Sequence, residues 1–233
     1  MWSRFSWHNM PTIIQTMAPA PITEKELRRH ILGELAYRAV QVRIYEELAI
    51  EQGASRVDIA LVGDILEAFE LKSDLDDFGR LHNQIHAYNR VFDRITLVTG
   101  PTHAHGAIKL MPSWWGVWTV RRDADGHLFT EVVREADDHA HQERHSLAMF
   151  LWRDEAVHVL TSGTDTLVPK KATKSQLHDW LAAKLSLDAL RICVSGTLRA
   201  RSSDKWATRP KQSAPSDDLS HPDASCSDFH CLI

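Results

Sequence analysis

Two short apolar segments joined by a Gly-Asp turn constrain this chain more than any other feature. The first reads Arg56-Val-Asp58-Ile-Ala-Leu-Val and the second Ile65-Leu-Glu-Ala-Phe-Glu70-Leu-Lys72-Ser-Asp, with Gly63-Asp64 between them. Their richness in Val, Ile, Leu and Phe on either side of a turn predicts neighbouring strands of a hairpin. Side chains alternate along a strand, so Glu70 and Lys72 share one face while Phe69 and Leu71 take the other. On the first strand Arg56, Asp58 and Ala60 oppose Val57, Ile59 and Leu61. The pattern places two acids and a lysine on one face of an otherwise apolar sheet, a grouping suited to a divalent cation and a phosphodiester.

Around this hairpin the periodicity alternates between helix and strand. Thr23-Glu-Lys-Glu26 is a capping box followed by Leu27, Ile31 and Leu35 at helical spacing, so a helix is expected to about Ala39. Residues 42–50 read equally as strand or helix. A helix carrying Phe78, Leu81, Ile85 and Tyr88 is expected directly after Lys72, capped by Ser73 or Asp74. Ile95-Thr-Leu-Val98 is a short strand, and His103 to Met111 a short helix. Val117 to Val120 and His127 to Val133 form a hairpin around Asp123-Ala-Asp-Gly126. Helices are expected over 146–160, 174–185 and 186–201. Residues 1–21 and 207–233 lack any period and read as disordered, which leaves a core over 22–112 and a hairpin with a helical annex over 113–206.

The bulk numbers exclude several classes. With 233 residues, 43% hydrophobic and 25% charged, the chain can bury a substantial core. A net charge of −4 requires any nucleic-acid contact to use a local basic surface. Three cysteines do not make a disulfide framework, and no run of about 18 apolar residues suggests a membrane span. A cytoplasmic protein with no membrane partner is the expectation.

Candidate chemistry extends beyond the hairpin. At about 100° per residue Glu34 falls on the buried stripe of the first helix, where an acid needs a partner or a metal. An ion pair with Arg38 one turn on explains it equally. Glu47 is a rival acid because it precedes the Asp58 strand. Gln84 lies one turn before Tyr88 and is placed to contact a phosphate or order a water. The histidines around His103 and His139 match no zinc template and read as a solvated surface. Trp114, Trp115 and Trp118 read as packing aromatics. The basic stretch from Arg191 to Lys211 suits either a phosphate backbone or a solvated helix face.

Arg56-Val-Asp58-Ile-Ala, Phe69-Glu70-Leu-Lys72-Ser-Asp74, Leu81-x-x-Gln84-x-x-x-Tyr88 and Val91-Phe-Asp93 resemble the sce7726 family. That bacterial family itself resembles the PD-(D/E)XK nucleases. Pro112-x-Trp114-Trp115-Gly116 and Leu151-Trp152-Arg153 are similar to its later pattern. The resemblance implies an α/β, restriction endonuclease-like core with a mixed sheet of about four strands flanked by helices. It also implies a nuclease acting on DNA, with Asp58, Glu70 and Glu34 (or Glu47) ligating Mg²⁺ or Mn²⁺. Lys72 would then orient the attacking water, and Gln84 would assist from the following helix. The proline that usually precedes the first acid is replaced by Val57. The alternative is a catalytically inactive nucleic-acid-binding or interaction protein that retains the same fold.

Overall fold

A computed structural model describes residues 20–37, 42–164 and 166–201. The expected disorder of residues 207–233, and of all but the last two residues of 1–21, lies outside these, as does Arg38. Helix α1 (Glu24–Ala36) begins at the capping box, where the Thr23 hydroxyl accepts from the Glu26 N–H and the Glu26 carboxylate accepts from the Thr23 N–H. Strands β1 (Arg43–Ile50), β2 (Ser55–Val62), β3 (Leu66–Lys72), β4 (Arg94–Thr99), β5 (Gly116–Arg122) and β6 (Leu128–Arg134) form one mixed sheet in sequence order. β1, β2 and β3 pair antiparallel, β3, β4 and β5 parallel, and β5 with β6 antiparallel. The ambiguous 42–50 segment is thus largely strand, and the expected hairpin of β5 and β6 extends the core sheet to six strands.

Helices α2 (Leu81–Asn89) and α3 (Ala104–Leu110) make the two parallel crossovers. The remaining helices are α4 (Arg144–Ala148), α5 (Arg153–Gly163), α6 (Lys174–Lys184) and α7 (Leu187–Ala200). The single helix expected over 146–160 is broken in two, because Trp152 is extended and its N–H is taken by the Glu155 carboxylate. Helix α2 starts six or seven residues later than a Ser73 or Asp74 cap implies. Residues 73–79 instead fold into side-chain turns: Asp76 accepts from the Ser73 N–H and hydroxyl, and Asp77 from the Gly79 N–H. Short acids competing for backbone donors in this way block a helix.

The sheet is covered on both faces. One face packs α1 through Leu27, Ile31 and Leu35 against Ile59, Leu61, Phe69, Leu71, Val98 and Trp118. The other carries the larger core, in which Val57, Ala60, Ala68, Ile95 and Val117 meet Leu81, Tyr88, Trp115 and the helices after β6. A strand buried on both faces has no solvent side for its polar residues, and β3 holds Glu70 and Lys72 in that setting. Helix α7 is tied to the sheet through polar groups: Tyr45 donates to the Leu198 carbonyl, Ser195 to the Gly63 carbonyl, and Arg191 to Asp93. Arg201 donates to both Glu155 oxygens. The described end of the basic C-terminal stretch is therefore partly consumed by internal ion pairs; Lys205, Arg209 and Lys211 lie outside the described residues.

The aromatic segment packs as expected. Trp115 is fully buried, lies parallel to Tyr88 at 6.1 Å, and donates to Asn89 Oδ1 at 2.9 Å. Trp114 stacks on His139 at 3.8 Å, and His178 is buried with a ring nitrogen 3.1 Å from the Leu151 carbonyl. Of the histidines expected at a solvated surface, His139 is thus drawn inward by stacking and by its contact with the Asn89 carbonyl. Gly100 has a packing reason: a Cβ there would fall 2.2 Å from Asp74 Oδ1. Asp74 in turn accepts from the Ile22 and Thr102 N–H groups, joining the lead-in to α1 to the loop after β4. Replacing Trp115 with Ala should cost about 3–5 kcal/mol of unfolding free energy, read as a lowered denaturation midpoint with native-like circular dichroism before the transition.

Candidate functional site

The site begins where the β2–β3 ladder ends. Ile59 and Phe69 are the last paired residues, and the strands part beyond them. Continuing the register would oppose Val57 and Leu71, yet the Leu71 N–H donates instead to Asp58 Oδ2 at 2.8 Å. In β1 the opposite residue, Glu47, has a left-handed backbone (φ 54), so the edge is distorted there as well. The split brings Asp58, Glu70 and Glu47 to one end of the sheet.

Glu70 is the most enclosed acid among the described residues, with 1% of its surface exposed. Its Oε1 accepts from Lys72 Nζ at 2.7 Å and from Gln84 Nε2 at 2.6 Å. Its Oε2 lies 2.6 Å from the Tyr88 hydroxyl, which lies 2.6 Å from the Arg56 carbonyl as well. A phenol carries one hydrogen, so both contacts are hydrogen bonds only when Glu70 holds a proton on Oε2. Burial, followed by the Asp58 charge, raises the Glu70 carboxyl to about 7, with Lys72 and Tyr88 opposing. Burial, then the Glu70 charge, pushes the Tyr88 phenol up, so it stays protonated. Gln84 Oε1 is buried without a hydrogen-bond partner.

Asp58 is held from the other side. Arg28 of α1 donates from Nη1 to the Asp58 carbonyl at 3.0 Å and from Nη2 to Asp58 Oδ1 at 2.9 Å. The same Nη2 lies 2.7 Å from Glu24 Oε1 and 2.7 Å from Glu47 Oε1. Burial alone would pull the Arg28 guanidinium down, but the Glu24 hydrogen bond and the charges of Asp58, Glu47 and Glu24 raise it. Sequence reasoning missed Arg28 and Glu24; the Glu24-x-x-x-Arg28 spacing of an i,i+4 pair was their available signal.

Five residues singled out from sequence are therefore brought together: Asp58, Glu70, Lys72, Gln84 and Glu47. Glu34 is not. Its carboxylate accepts from the Thr130 hydroxyl of β6 at 2.8 Å and lies 3.3 Å from His30 Nε2. Helical phase gave its direction around the axis but not its position along it. Ten residues beyond Glu24 amount to about 15 Å of rise, which carries Glu34 to the far edge of the sheet.

Mg²⁺ takes oxygen ligands near 2.1 Å, and Asp58 and Glu70 have the right chemistry. The arrangement does not fit the ion. All four of their carboxylate oxygens already contact donors of the chain: Arg28, the Leu71 N–H, Lys72, Gln84 and Tyr88. A shared ion would displace several of these and leave their buried polar groups unpaired.

The raised Glu70 carboxyl has a signed consequence. Its folded value of about 7 lies above the ordinary 4.5, so its contribution to stability is full below 4.5 and is lost as pH rises through about 7. Relative to Glu70→Gln, the wild type should lose unfolding free energy between about pH 5 and 8, measured by denaturant titration at each pH. A difference that stays flat across that range would mean Glu70 is ionised throughout.

Comparison with known proteins places the chain. Residues 18–221 match the family described as Bacteriophage P4 protein cII. Protein cII of Enterobacteria phage P4 is 25% identical over 162 residues, 68% of this chain and 59% of that protein, so the match spans under two thirds of the phage protein. Among solved structures, the SPO1766 protein of unknown function from Silicibacter pomeroyi is 18% identical and covers 76% of this chain and 93% of that one. Its TM-score of 0.35 carries no conclusion about the fold. The family match overturns the sce7726 assignment, and the nuclease and hydrolase reading that rested on it falls too. The Asp58 and Glu70 carboxylates that suggested a nuclease are, in this fold, engaged by groups of the chain itself across the sheet split, and the chain belongs to the bacteriophage P4 protein cII family.

Proposed function

We propose that this protein binds DNA and acts by occupying it rather than by cutting it, a regulatory role. The observation that carries the reading is a group of exposed cations at the start of α5 and α6. Arg153 donates to the Lys170 carbonyl at 2.8 Å, which sets Arg153 beside the exposed Lys170 and Lys171. Residues 144–184 hold six Lys and Arg (Arg144, Arg153, Lys170, Lys171, Lys174, Lys184) against four Asp and Glu (Asp154, Glu155, Asp165, Asp179), although the whole chain is at −4. Glu155 is engaged by Arg201, which offsets part of the opposing charge. Lys and Arg contact phosphates without reading bases, so affinity here would be salt-dependent and weakly sequence-selective.

The sheet's first four strands, flanked by α1 and α2, support reading residues 22–112 as a restriction endonuclease-like scaffold used for binding. Sealing of the Asp58 and Glu70 oxygens by internal donors supports occupancy over chemistry. Among the described residues no helix is long and apolar enough to cross a membrane.

Fluorescence anisotropy of the full chain on duplex DNA tests the reading. Binding should weaken by roughly ten- to a hundredfold between 50 and 200 mM salt if two to four phosphates are neutralised. Replacing Arg153, Lys170 and Lys171 together with Glu should reduce affinity at least tenfold and leave the melting temperature nearly unchanged, because all three are exposed. Equal affinity of the triple variant and the wild type would remove this surface from the proposal.

A further inference from the structure

We propose that Arg28 is the resident cation of the Glu24, Glu47 and Asp58 cluster, standing where a divalent ion would sit and keeping such ions out. One oxygen from each of the three carboxylates lies within 4.8 Å of the others, a spacing able to surround a metal. At their centre is a single atom, Arg28 Nη2, with 2.7, 2.7 and 2.9 Å to Glu24, Glu47 and Asp58. The three acids come from α1, β1 and β2, so the guanidinium also ties three elements to one point.

Arg28 is well suited to hold that position. Its side chain is 17% exposed, and Nη1 is fixed on the Asp58 carbonyl while Nε reaches Glu24. A guanidinium stays charged at every physiological pH and offers donors in a rigid fork. An incoming Mg²⁺ or Mn²⁺ would have to strip its own waters and expel this group, leaving a partly buried cation unpaired. Arg56, 3.7 Å from Glu47, adds a second positive charge at the rim. The inference is independent of DNA binding at the α5–α6 surface, since neither the residues nor the readout are shared.

Mn²⁺ binding to the full chain, followed by electron paramagnetic resonance of the free ion, decides it. A second acidic group, Asp123, Asp125 and His127, is exposed in the β5–β6 loop, so dependence on Asp58 is the required control. The wild type should show no Mn²⁺ binding that Asp58→Asn abolishes. Arg28→Gln should gain a site at least tenfold tighter than any in the wild type, lost again in Arg28→Gln with Asp58→Asn. An Arg28→Gln protein that folds only with Mn²⁺ present would equally show the ion taking the guanidinium's place. Asp58-dependent Mn²⁺ binding by the wild type would overturn the assignment, as would a folded Arg28→Gln protein that gains none. Should Arg28→Gln fold under neither condition, the wild-type comparison with Asp58→Asn decides alone.

Discussion

The hydrogen bond from the Leu71 N–H to Asp58 Oδ2 is the constraint on which the site depends. Buried backbone donors are almost always paired, and the ladder beyond Ile59 and Phe69 offers this one no carbonyl. A side-chain carboxylate takes the missing partner's place. It allows β2 and β3 to part without stranding a buried polar group, and the space they open admits Arg28 on one side and Gln84 with Tyr88 on the other. Asp58 is therefore structural twice over: it closes the ladder and anchors α1 through Arg28.

Glu70 and Lys72 follow from the same geometry. β3 is covered on both faces, so two charged groups on its even-numbered face cannot reach bulk water. Their proximity of 2.7 Å makes the pair tolerable, and Gln84 and Tyr88 supply the remaining donors. Breaking such a pair by removing one partner is costly because the other charge stays buried, yet burial and the Asp58 charge still raise the Glu70 carboxyl to about 7 against the pull of Lys72. The tyrosine relays that choice: with Glu70 protonated its own hydrogen reaches the Arg56 carbonyl, and with Glu70 ionised that carbonyl loses its donor. Protonation at Glu70 is thus felt in the β2 backbone, two residues before Asp58.

Much of this was legible in the residues. The Thr23–Glu26 capping box, the Gly63-Asp64 turn and the alternation through Glu70 and Lys72 are local, and local patterns survive into the structure. The delayed start of α2 was not legible from hydrophobic spacing, because the Ser73–Asp76 and Asp77–Gly79 contacts compete with the helix through polar side chains. Glu34 failed for another reason. Phase on a helix says which way a residue points, while the partner it meets depends on how far along the axis it lies and on which strand runs beneath. Arg28 was overlooked because an exposed-looking i,i+4 pair with Glu24 gave no hint of Asp58, thirty residues on.

The D…ExK spacing with a downstream glutamine is a statement about a sheet edge before it is one about chemistry. In this chain the split of two antiparallel strands over a buried face is met by a carboxylate that caps the orphan N–H, an acid on the inner strand and a cation beside it. These groups serve the split without a metal, and fold-level likeness alone cannot carry an activity. What separates the two outcomes is the occupant of the acid cluster. A hydrolytic centre built on a carboxylate-held ion must leave carboxylate oxygens open to that ion. Here α1 delivers a guanidinium to that spot, fastened to the Asp58 main chain as well as its side chain, so the cation that balances the acids is part of the polypeptide.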